Sequence, residues 1–290
     1  MFFIKLKRLP LAFEEIKSLC KTYEVEIIKH YDENGIVIID KAFPFSRLVL
    51  SHYVAELNNY DDYLGQYRIE AKRDLELELP KFLKGKVNLS SPENIVRAEK
   101  VGDSVIFGKE LWRFRKIKRE YQMKSHVTMK AEFSRLLLNM AEVREGETVY
   151  DPFCGTGSIL IEAGLMGMKV IGSDVSEKMV EAANINLRHL GIKADVFVCN
   201  AFESTVKADA VVSDLPYGRG SKIKNECDFE GKIIGMLTEM VNRKGHVVFV
   251  YNKRLNIDDV DGEIFESRVH RSLKRYIHKI SVDKTAKKKI

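Results

Sequence analysis

The pattern of apolar positions along the chain changes near residue 130. Before it, short apolar runs bounded by turn residues predict strands over 2–6, 25–30, 35–39, 67–71, 94–99 and 104–107. Asp32–Gly35 and Gly102–Asp103 predict the turns of two hairpins. Apolar residues at helical spacing predict helices over Ala12–Lys21 and Ser46–Leu57. The first 115 residues are therefore expected to form a small α+β domain.

After residue 130, short apolar strands alternate with amphipathic helices. The strands are predicted over Thr148–Asp151, Lys169–Asp174, Asp195–Cys199, Ala208–Ser213 and Gly245–Tyr251. The helices are predicted over Lys130–Met140, Ser158–Met166, Ser176–Leu190 and Asn225–Val241. This alternation is typical of a doubly wound, mostly parallel α/β sheet, and Glu263–Val269 with Arg275–Val282 predicts an antiparallel hairpin at one edge. The predicted domains are 1–115 and 130–290, joined by a linker over 116–129.

Composition places the chain among ordinary globular proteins, with 45% hydrophobic and 31% charged residues. The net charge of +6 is compatible with a nucleic-acid partner. The four cysteines (Cys20, Cys154, Cys199 and Cys227) form no Cys-x-x-Cys pair, so the sequence predicts no metal site and reduced thiols in a cytoplasmic protein. Because charged residues interrupt every apolar run, we expect neither a signal peptide nor a membrane span.

A basic stretch occupies the predicted boundary between the domains. Residues 113–124 hold six lysines or arginines. One interpretation is a solvated, charged connection. The other is a strip that faces RNA phosphates, with the candidate RNA-binding residues Arg113, Arg115, Lys116, Lys118 and Arg119.

The strongest local signal is a glycine-rich segment between a predicted strand and a predicted helix, Asp151-Pro152-Phe153-Cys154-Gly155-Thr156-Gly157 followed by Ser158. Two glycines let the backbone approach a ligand closely, at a helix amino terminus whose amides can meet a carboxylate. The third glycine of a dinucleotide fingerprint is absent, which argues against a pyrophosphate ligand. The alternative is a tight turn that binds nothing.

Two further strand ends sharpen this prediction. Asp174, followed by Val175, ends the next strand and can accept hydrogen bonds from ribose hydroxyls. Asn200, followed by Ala201, ends the third strand, where an amide can meet an adenine edge. Together they predict a nucleoside ligand without phosphates. The simpler alternatives are a helix cap for Asp174 and a plain turn for Asn200.

The fourth strand ends in Ser213-Asp214-Leu215-Pro216-Tyr217-Gly218. An exocyclic base amine is a poor nucleophile, and positive charge develops on its nitrogen as it attacks a methyl group. Asp214 and the carbonyl of Leu215 could accept its two N–H bonds and stabilise that charge. Pro216 would stiffen the turn, and Tyr217 could stack on the base. Because Asp214 would also border the nucleoside pocket, it is predicted for both sites. The alternative is a capped strand end with a partly buried tyrosine.

These motifs resemble the first and fourth motifs of class I amino-methyltransferases. More closely, the chain resembles the archaeal tRNA guanosine-10 N2-methyltransferases and their eukaryotic relatives, in which a ferredoxin-like region and a THUMP domain precede the catalytic domain. Tyr67–Arg73 and Asn94–Trp112 look like THUMP strands, and His126–Met129 occupies the place of the family's segment upstream of the first strand. Leu215 departs from the Asp-Pro-Pro-Tyr form that is usual in the family.

The resemblance implies a Rossmann-like methyltransferase domain with a terminal antiparallel strand, S-adenosyl-L-methionine as cofactor, and tRNA as partner. It implies methylation of guanosine N2, with position 10 as the expected site, and it leaves open one or two methyl groups and a small helper protein. Three alternatives are another position in tRNA or ribosomal RNA, adenine N6 as acceptor, and an RNA-binding protein that kept the fold without catalysis. Direct in-line transfer is expected, without a cysteine nucleophile.

Overall fold

The computed structural model describes residues 1–125, 128–216, 226–270 and 273–285. The chain divides into two compact units, Met1–Arg115 and Lys116–Ile290, and each is built on its own sheet. Within the described ranges, every helix is too short or too polar to cross a membrane.

The amino-terminal unit contains the strands β1 (Phe2–Leu6), β2 (Ile27–Tyr31), β3 (Ile36–Ile39), β4 (Ser51–Leu57), β5 (Tyr63–Glu70), β6 (Lys84–Val87), β7 (Asn94–Val101) and β8 (Ser104–Arg113). They form one sheet in the order β2-β3-β1-β4-β8-β7-β5-β6. Neighbours are antiparallel, except that β5 runs parallel to both β6 and β7. Helix α1 (Ala12–Tyr23) packs Ile16 against one part of the sheet, and α2 (Arg73–Glu78) packs Leu75 against another. The expected α+β character is observed, while the THUMP assignment stays a prediction.

The helix predicted over Ser46–Leu57 is wrong. A short 3-10 turn over Phe45–Arg47 leads into β4, which lies between β1 and β8. Tyr53 pairs with Lys5 on one side and with Arg113 on the other. The apolar spacing of this segment fits a helix, and it also fits a strand that is buried on both faces. Pairing with β1 on one edge and with β8 on the other therefore decides for the strand. Helix α2 and strand β6 were not predicted, since their sequences are short and mostly polar.

The second unit contains the strands β9 (Thr148–Asp151), β10 (Lys169–Asp174), β11 (Ala194–Val198), β12 (Ala208–Asp214), β13 (Val241–Tyr251), β14 (Gly262–His270) and β15 (Leu273–Asp283). Its helices are α3 (Ala131–Met140), α4 (Ser158–Leu165), α5 (Glu177–His189) and α6 (Glu226–Glu239). The predicted elements of this unit are confirmed, with boundaries shifted by a few residues. Leu237 and Met240 pack with Val247 and Phe249 in the core on one side of the sheet.

The strand order of this sheet is β11-β10-β9-β12-β13-β15-β14. Strands β9 to β13 are parallel, and β15 is antiparallel to both of its neighbours. The prediction of a doubly wound, mostly parallel seven-stranded sheet with a terminal antiparallel strand is confirmed. The chain first builds outward from β9 to β11 and then returns to β12, so the topological switch point lies between β9 and β12. In open α/β sheets, ligands bind outside the carboxyl ends of the strands at this point.

Candidate active site

The glycine-rich turn connects β9 to α4. Gly155 and Gly157 both have positive φ angles, 52° and 85°, which favour glycine. A Cβ atom at Gly155 would meet no atom within 4 Å, whereas one at Gly157 would lie 3.3 Å from the Cβ of Ala183 on α5. Gly155 therefore borders open space that a ligand can enter, while Gly157 allows close packing of the turn on α5.

The predicted neighbours in the turn are mostly enclosed. Cys154 is buried, and its backbone N–H donates to the carbonyl of Ser173 on β10 at 2.9 Å. Burial raises the pKa of the Cys154 thiol, which agrees with a packing role and not with a nucleophile. Pro152 and Thr156 are also buried, and Phe153 is half-buried against the core of the sheet.

Asp174 lies at the end of β10 and links the turn to α5. Its Oδ2 accepts from the backbone N–H of Gly155 at 3.0 Å, and its Oδ1 accepts from that of Ser176 at 2.9 Å. Asp174 therefore caps the start of α5, as the simpler alternative expected. Each of its carboxylate oxygens can still accept a second hydrogen bond. Val175 beside it is 71% exposed, so this strand end is open to a ligand.

Asn200 and Ala201 lie at the end of β11, the next strand outward. The Oδ1 of Asn200 accepts from the backbone N–H of Phe202 at 3.2 Å, and its Nδ2 donates to Glu203 at 3.0 Å. Asn200 therefore shapes a short turn, as the simpler alternative expected, and an adenine contact stays a prediction. Sequence reasoning missed Phe202, whose exposed ring follows the buried Ala201.

Asp151 is almost completely buried beneath the site. Its Oδ1 accepts from Ser213 Oγ at 2.6 Å and from the backbone N–H of Phe153 at 3.1 Å. Burial raises the pKa of Asp151 to about 7, although these two hydrogen bonds oppose the rise. The bond from Ser213 ties the end of β12 to the end of β9, so the glycine-rich turn and the predicted acceptor motif share one anchor.

Asp214 ends β12 and has two unlike oxygens. Oδ2 lies 3.4 Å from Nη1 of Arg275, whereas Oδ1 is inaccessible to solvent and accepts no hydrogen bond from any described residue. Burial raises the pKa of Asp214 to about 6, and the positive charge of Arg275 opposes that rise. A buried carboxylate oxygen without a donor is costly unless a ligand supplies one. Arg275 was not singled out from the sequence.

The rest of the predicted acceptor motif is only partly described. Leu215 is buried in the core of the sheet, and its backbone N–H donates to the carbonyl of Val250 at 3.0 Å. An apolar leucine therefore anchors the strand end. Pro216 follows at the surface of this core and is half-buried. Tyr217 lies outside the described residues, as do His126 and Val127 of the upstream segment.

The five predicted RNA-binding residues fall into two groups. Arg113 pairs with Glu70 and Glu110, and Arg119 pairs with the fully buried Glu162. These two arginines are neutralised by partners within the chain. The other group is exposed and makes no ion pair among the described residues; it consists of Arg115, Lys116 and Lys118.

Residues assigned to the predicted linker also reach the glycine-rich turn. The side chain of Asn186 on α5 bonds both the N–H and the carbonyl of Met123 at 2.9 Å, and it donates to the carbonyl of Thr156 at 3.0 Å. Segment 119–125 is thus fastened behind the turn, by Asn186 and by the Arg119–Glu162 pair. Its assignment as a separate linker stays a prediction.

The residues present fit a nucleoside-bearing sulfonium ligand. Gly155 offers an open backbone, Asp174 retains acceptor capacity, and Val175 and Phe202 expose apolar surface at the same edge of the sheet. Asp214, with its unpartnered oxygen, borders this edge from the other side of the switch point. The arrangement can hold a nucleoside beside a carboxylate that awaits an N–H donor.

Known proteins support this interpretation. A family model described as RMKL-like, methyltransferase domain matches residues 116–275, and a second model described as DNA methylase matches residues 21–185. The tRNA (guanine(10)-N2)-dimethyltransferase of Methanocaldococcus jannaschii is 33% identical over 67% of this chain and 59% of its own length. A probable tRNA (guanine(10)-N2)-dimethyltransferase of Methanothermococcus thermolithotrophicus is 33% identical over 49% of this chain and 93% of its own length.

The chain spans about three fifths of the length of the Methanocaldococcus relative. Over the whole fold, the crystal structure of TrmN from Thermus thermophilus covers 97% of this chain and 99% of its own, with a TM-score of 0.50 and 16% identity. At that identity the likeness concerns the fold alone. The family models confirm the prediction of a methyltransferase with S-adenosylmethionine as its cofactor. The chain therefore belongs to the RMKL-like methyltransferase family, together with the archaeal tRNA (guanine(10)-N2)-dimethyltransferases.

Proposed function

We propose that this chain methylates the exocyclic N2 of guanosine in tRNA, at position 10. The observation that carries the proposal is Oδ1 of Asp214, a buried carboxylate oxygen without a described donor, beside an open glycine-rich turn. An amine that brings N–H donors to this oxygen satisfies it. The choice of guanosine 10 rests on the named activities of the archaeal relatives and of the 28% identical tRNA (guanine(10)-N(2))-methyltransferase of Saccharomyces cerevisiae.

The chain's own residues position both reactants. Asp174, Val175, Asn200 and Ala201 would hold the nucleoside end of the cofactor, and the turn over 151–157 would hold its amino-acid end. When bound, S-adenosylmethionine supplies a methyl group activated by a positively charged sulfur.

Asp214 acts on the amine. In its ionised form, Oδ1 accepts one N–H bond and orients the nitrogen lone pair, while the carbonyl of Leu215 accepts the other. As positive charge develops on the nitrogen, the carboxylate stabilises it. A pKa of about 6 keeps Asp214 ionised at neutral pH and also lets Oδ1 take up the proton that the methylated nitrogen releases.

The RNA backbone is proposed to meet Arg115, Lys116 and Lys118, the exposed basic residues without a described ion pair. Arg113 and Arg119 stay predicted RNA contacts, but each already pairs with carboxylates within the chain, Arg113 with Glu70 and Glu110 and Arg119 with Glu162. The cytoplasmic location and a possible helper protein stay predictions.

The test of the reaction is identification of the product. Unmodified tRNA transcript and S-adenosylmethionine are incubated with the protein, and the digested nucleosides are identified by mass spectrometry. N2-methylguanosine or its dimethyl form is expected, and a transcript with adenosine in place of guanosine 10 should lose it. Methyl groups in adenosine or at another guanosine of the transcript would overturn the proposed acceptor. Binding of the cofactor without any product would favour a non-catalytic role.

The proposed RNA contacts predict a change in salt dependence. Replacing Lys116 and Lys118 together by glutamine should weaken tRNA binding and reduce the slope of log affinity against log salt by about 1.5, since each phosphate contact contributes roughly 0.7 to 0.9. Fluorescence anisotropy over a salt series measures this. The matched control is Lys178→Gln with Lys193→Gln, which removes the same charge from exposed positions elsewhere in the second unit. An unchanged slope in the first variant would contradict the assignment.

A further inference from the structure

The topology of the second sheet brings an unexpected arginine to the site. Because β15 runs antiparallel to β13, its first residues lie at the edge where the parallel strands have their carboxyl ends. Asp214 pairs with Val250 on β13, and Val250 pairs with Ile277 on β15. Arg275 lies two residues before Ile277 and therefore points to the same face of the sheet. Its side chain reaches across β13 to Asp214.

The contact with Arg275 gives the two carboxylate oxygens of Asp214 different surroundings. Nη1 of Arg275 lies 3.4 Å from Oδ2 of Asp214, and no described residue donates to Oδ1. Both side chains are largely withdrawn from solvent, with 16% of Arg275 and 22% of Asp214 exposed. At this separation and burial, the charges interact more strongly than a surface pair would. One oxygen faces a cation, and the other is buried without a described donor.

The remaining surroundings of Asp214 do not replace this cation. From β9, the nearby titratable group is Asp151, another carboxylate, and β13 presents the apolar Val250 beside it. Asp174 is the further acidic group at this edge. Within the described ranges, Arg275 is the cation that acts on the charge of Asp214.

We propose that Arg275 is a positioning residue for methyl transfer, which holds Asp214 ionised and oriented through Oδ2 and leaves Oδ1 free to accept the N–H of the base. This inference rests on the proposed function for the identity of the amine. Without the cation, burial would favour the protonated carboxyl, whose O–H donates instead of accepting. A protonated Asp214 could neither orient the amine nor stabilise the charge that develops on nitrogen.

The first test needs no RNA substrate. Carboxyl resonances of ¹³C-labelled aspartate are followed by NMR from acid to neutral pH, with Asp214→Asn assigning the signal. In Arg275→Met, the pKa of Asp214 should rise by about one unit or more, because a cation at this distance lowers a carboxylate pKa by roughly 1 to 3 units. Arg275→Lys keeps the charge and should give an intermediate value. Lys274→Met is the control, since the exposed Lys274 pairs with Glu266 instead.

The second test follows activity on the tRNA transcript. The acidic limb of the kcat profile should move to higher pH in Arg275→Met, with partial rescue in Arg275→Lys and no movement in Lys274→Met. Cofactor affinity, measured by calorimetry, should stay within about twofold of the original protein, since Arg275 contacts the acceptor carboxylate. If Arg275→Met does not fold, Arg275→Gln carries both tests, since it also removes the positive charge.

The outcomes separate the two proposals. An unchanged pKa of Asp214 in both Arg275 variants would overturn the role of Arg275, whatever the RNA product. A raised pKa with no methylation of guanosine by the original protein would support the electrostatic role and overturn the proposed substrate. A raised pKa together with a shifted acidic limb supports both.

Discussion

Asp151 and Asp214 end neighbouring strands of one sheet, yet their surroundings make them different kinds of carboxylate. Asp151 faces inward, and its Oδ1 receives hydrogen bonds from Ser213 and Phe153. Asp214 pairs loosely with Arg275 and keeps one buried oxygen without a described donor. Burial raises the pKa of both. The difference indicates that hydrogen bonding, more than burial, separates a carboxylate that holds the site together from one that awaits a substrate.

The largest effect is expected for Asp214→Asn. The amide oxygen can still accept one N–H, but it carries no charge to stabilise the developing positive nitrogen. We expect kcat to fall by about 10³, a loss comparable to removal of a preorganised electrostatic partner in other enzymes. Single-turnover assays with the tRNA transcript measure this. Calorimetric titration of the cofactor shows whether Asp214 also contacts it, and Asp195→Asn, at an exposed position on β11, is the control. Retention of a tenth of the activity would remove Asp214 from the chemistry.

Asp151→Asn tests the structural role of Asp151 through the pH dependence of the free energy of unfolding. The pKa of Asp151 is about 7 in the folded protein against an ordinary value of 3.8, so the folded state binds a proton more tightly than the unfolded state. The free energy of unfolding contributed by this group therefore falls as pH rises between those two values. Asparagine has no charge to desolvate, and its Oδ1 can keep both hydrogen bonds.

We therefore expect the Tm of Asp151→Asn to depend less on pH than that of the original protein between about pH 5 and about pH 8, with the greatest gain at the upper end. Thermal melting followed by circular dichroism measures this. A Tm that is lower in the variant by the same amount across this range would mean that Asp151 is ionised and stabilising in the folded state, and the contrast with Asp214 would fail.

The two glycines extend the comparison to the turn. Alanine at either position incurs about 1 to 2 kcal/mol for a positive φ. At Gly157 the added Cβ also presses on Ala183 at 3.3 Å, whereas at Gly155 it enters open space. Gly157→Ala should therefore lower the Tm more, and Gly155→Ala should weaken cofactor binding more, by about tenfold. Calorimetric titration and thermal melting of both variants measure this. Equal changes in Tm and in cofactor affinity for the two variants would show that Gly155 and Gly157 do not have separate roles in ligand approach and packing.

The sequence predicted the alternation of strands and helices in the second unit, because its short apolar strands and its helically spaced apolar residues indicate the same architecture. It also predicted Asp214, since the acceptor motif is local. Arg275 could not be predicted, because its place depends on insertion of an antiparallel strand beside β13. The ion pair of Arg119 could not be predicted either, because its buried partner Glu162 lies 43 residues away in the chain.

The amino-terminal unit shows the limit most clearly. Its apolar residues over Ser46–Leu57 fit a helix and a strand about equally well, and only the neighbours β1 and β8 decide between them. Strand β6 is exposed at every position and carries no apolar period. Patterns along one element therefore predicted the conformation of the strands and helices of the second unit, and failed over Ser46–Leu57, where partners from distant segments set it.

Ser213→Ala is expected to have the smallest effect and tests whether the two carboxylates act together. It removes the 2.6 Å hydrogen bond to Asp151, which should reduce the free energy of unfolding by about 1 kcal/mol and raise the pKa of Asp151 further. Because Ser213 directly precedes Asp214, we also expect a loss of about threefold in kcat, since small displacements of a catalytic group are costly. Melting curves and single-turnover rates measure the two effects. Thr22→Val is the control, because it removes a buried hydroxyl that bonds the carbonyl of Ser18 in the amino-terminal unit. A loss of stability without a loss of rate would mean that Asp151 anchors the strand ends independently of the chemistry at Asp214.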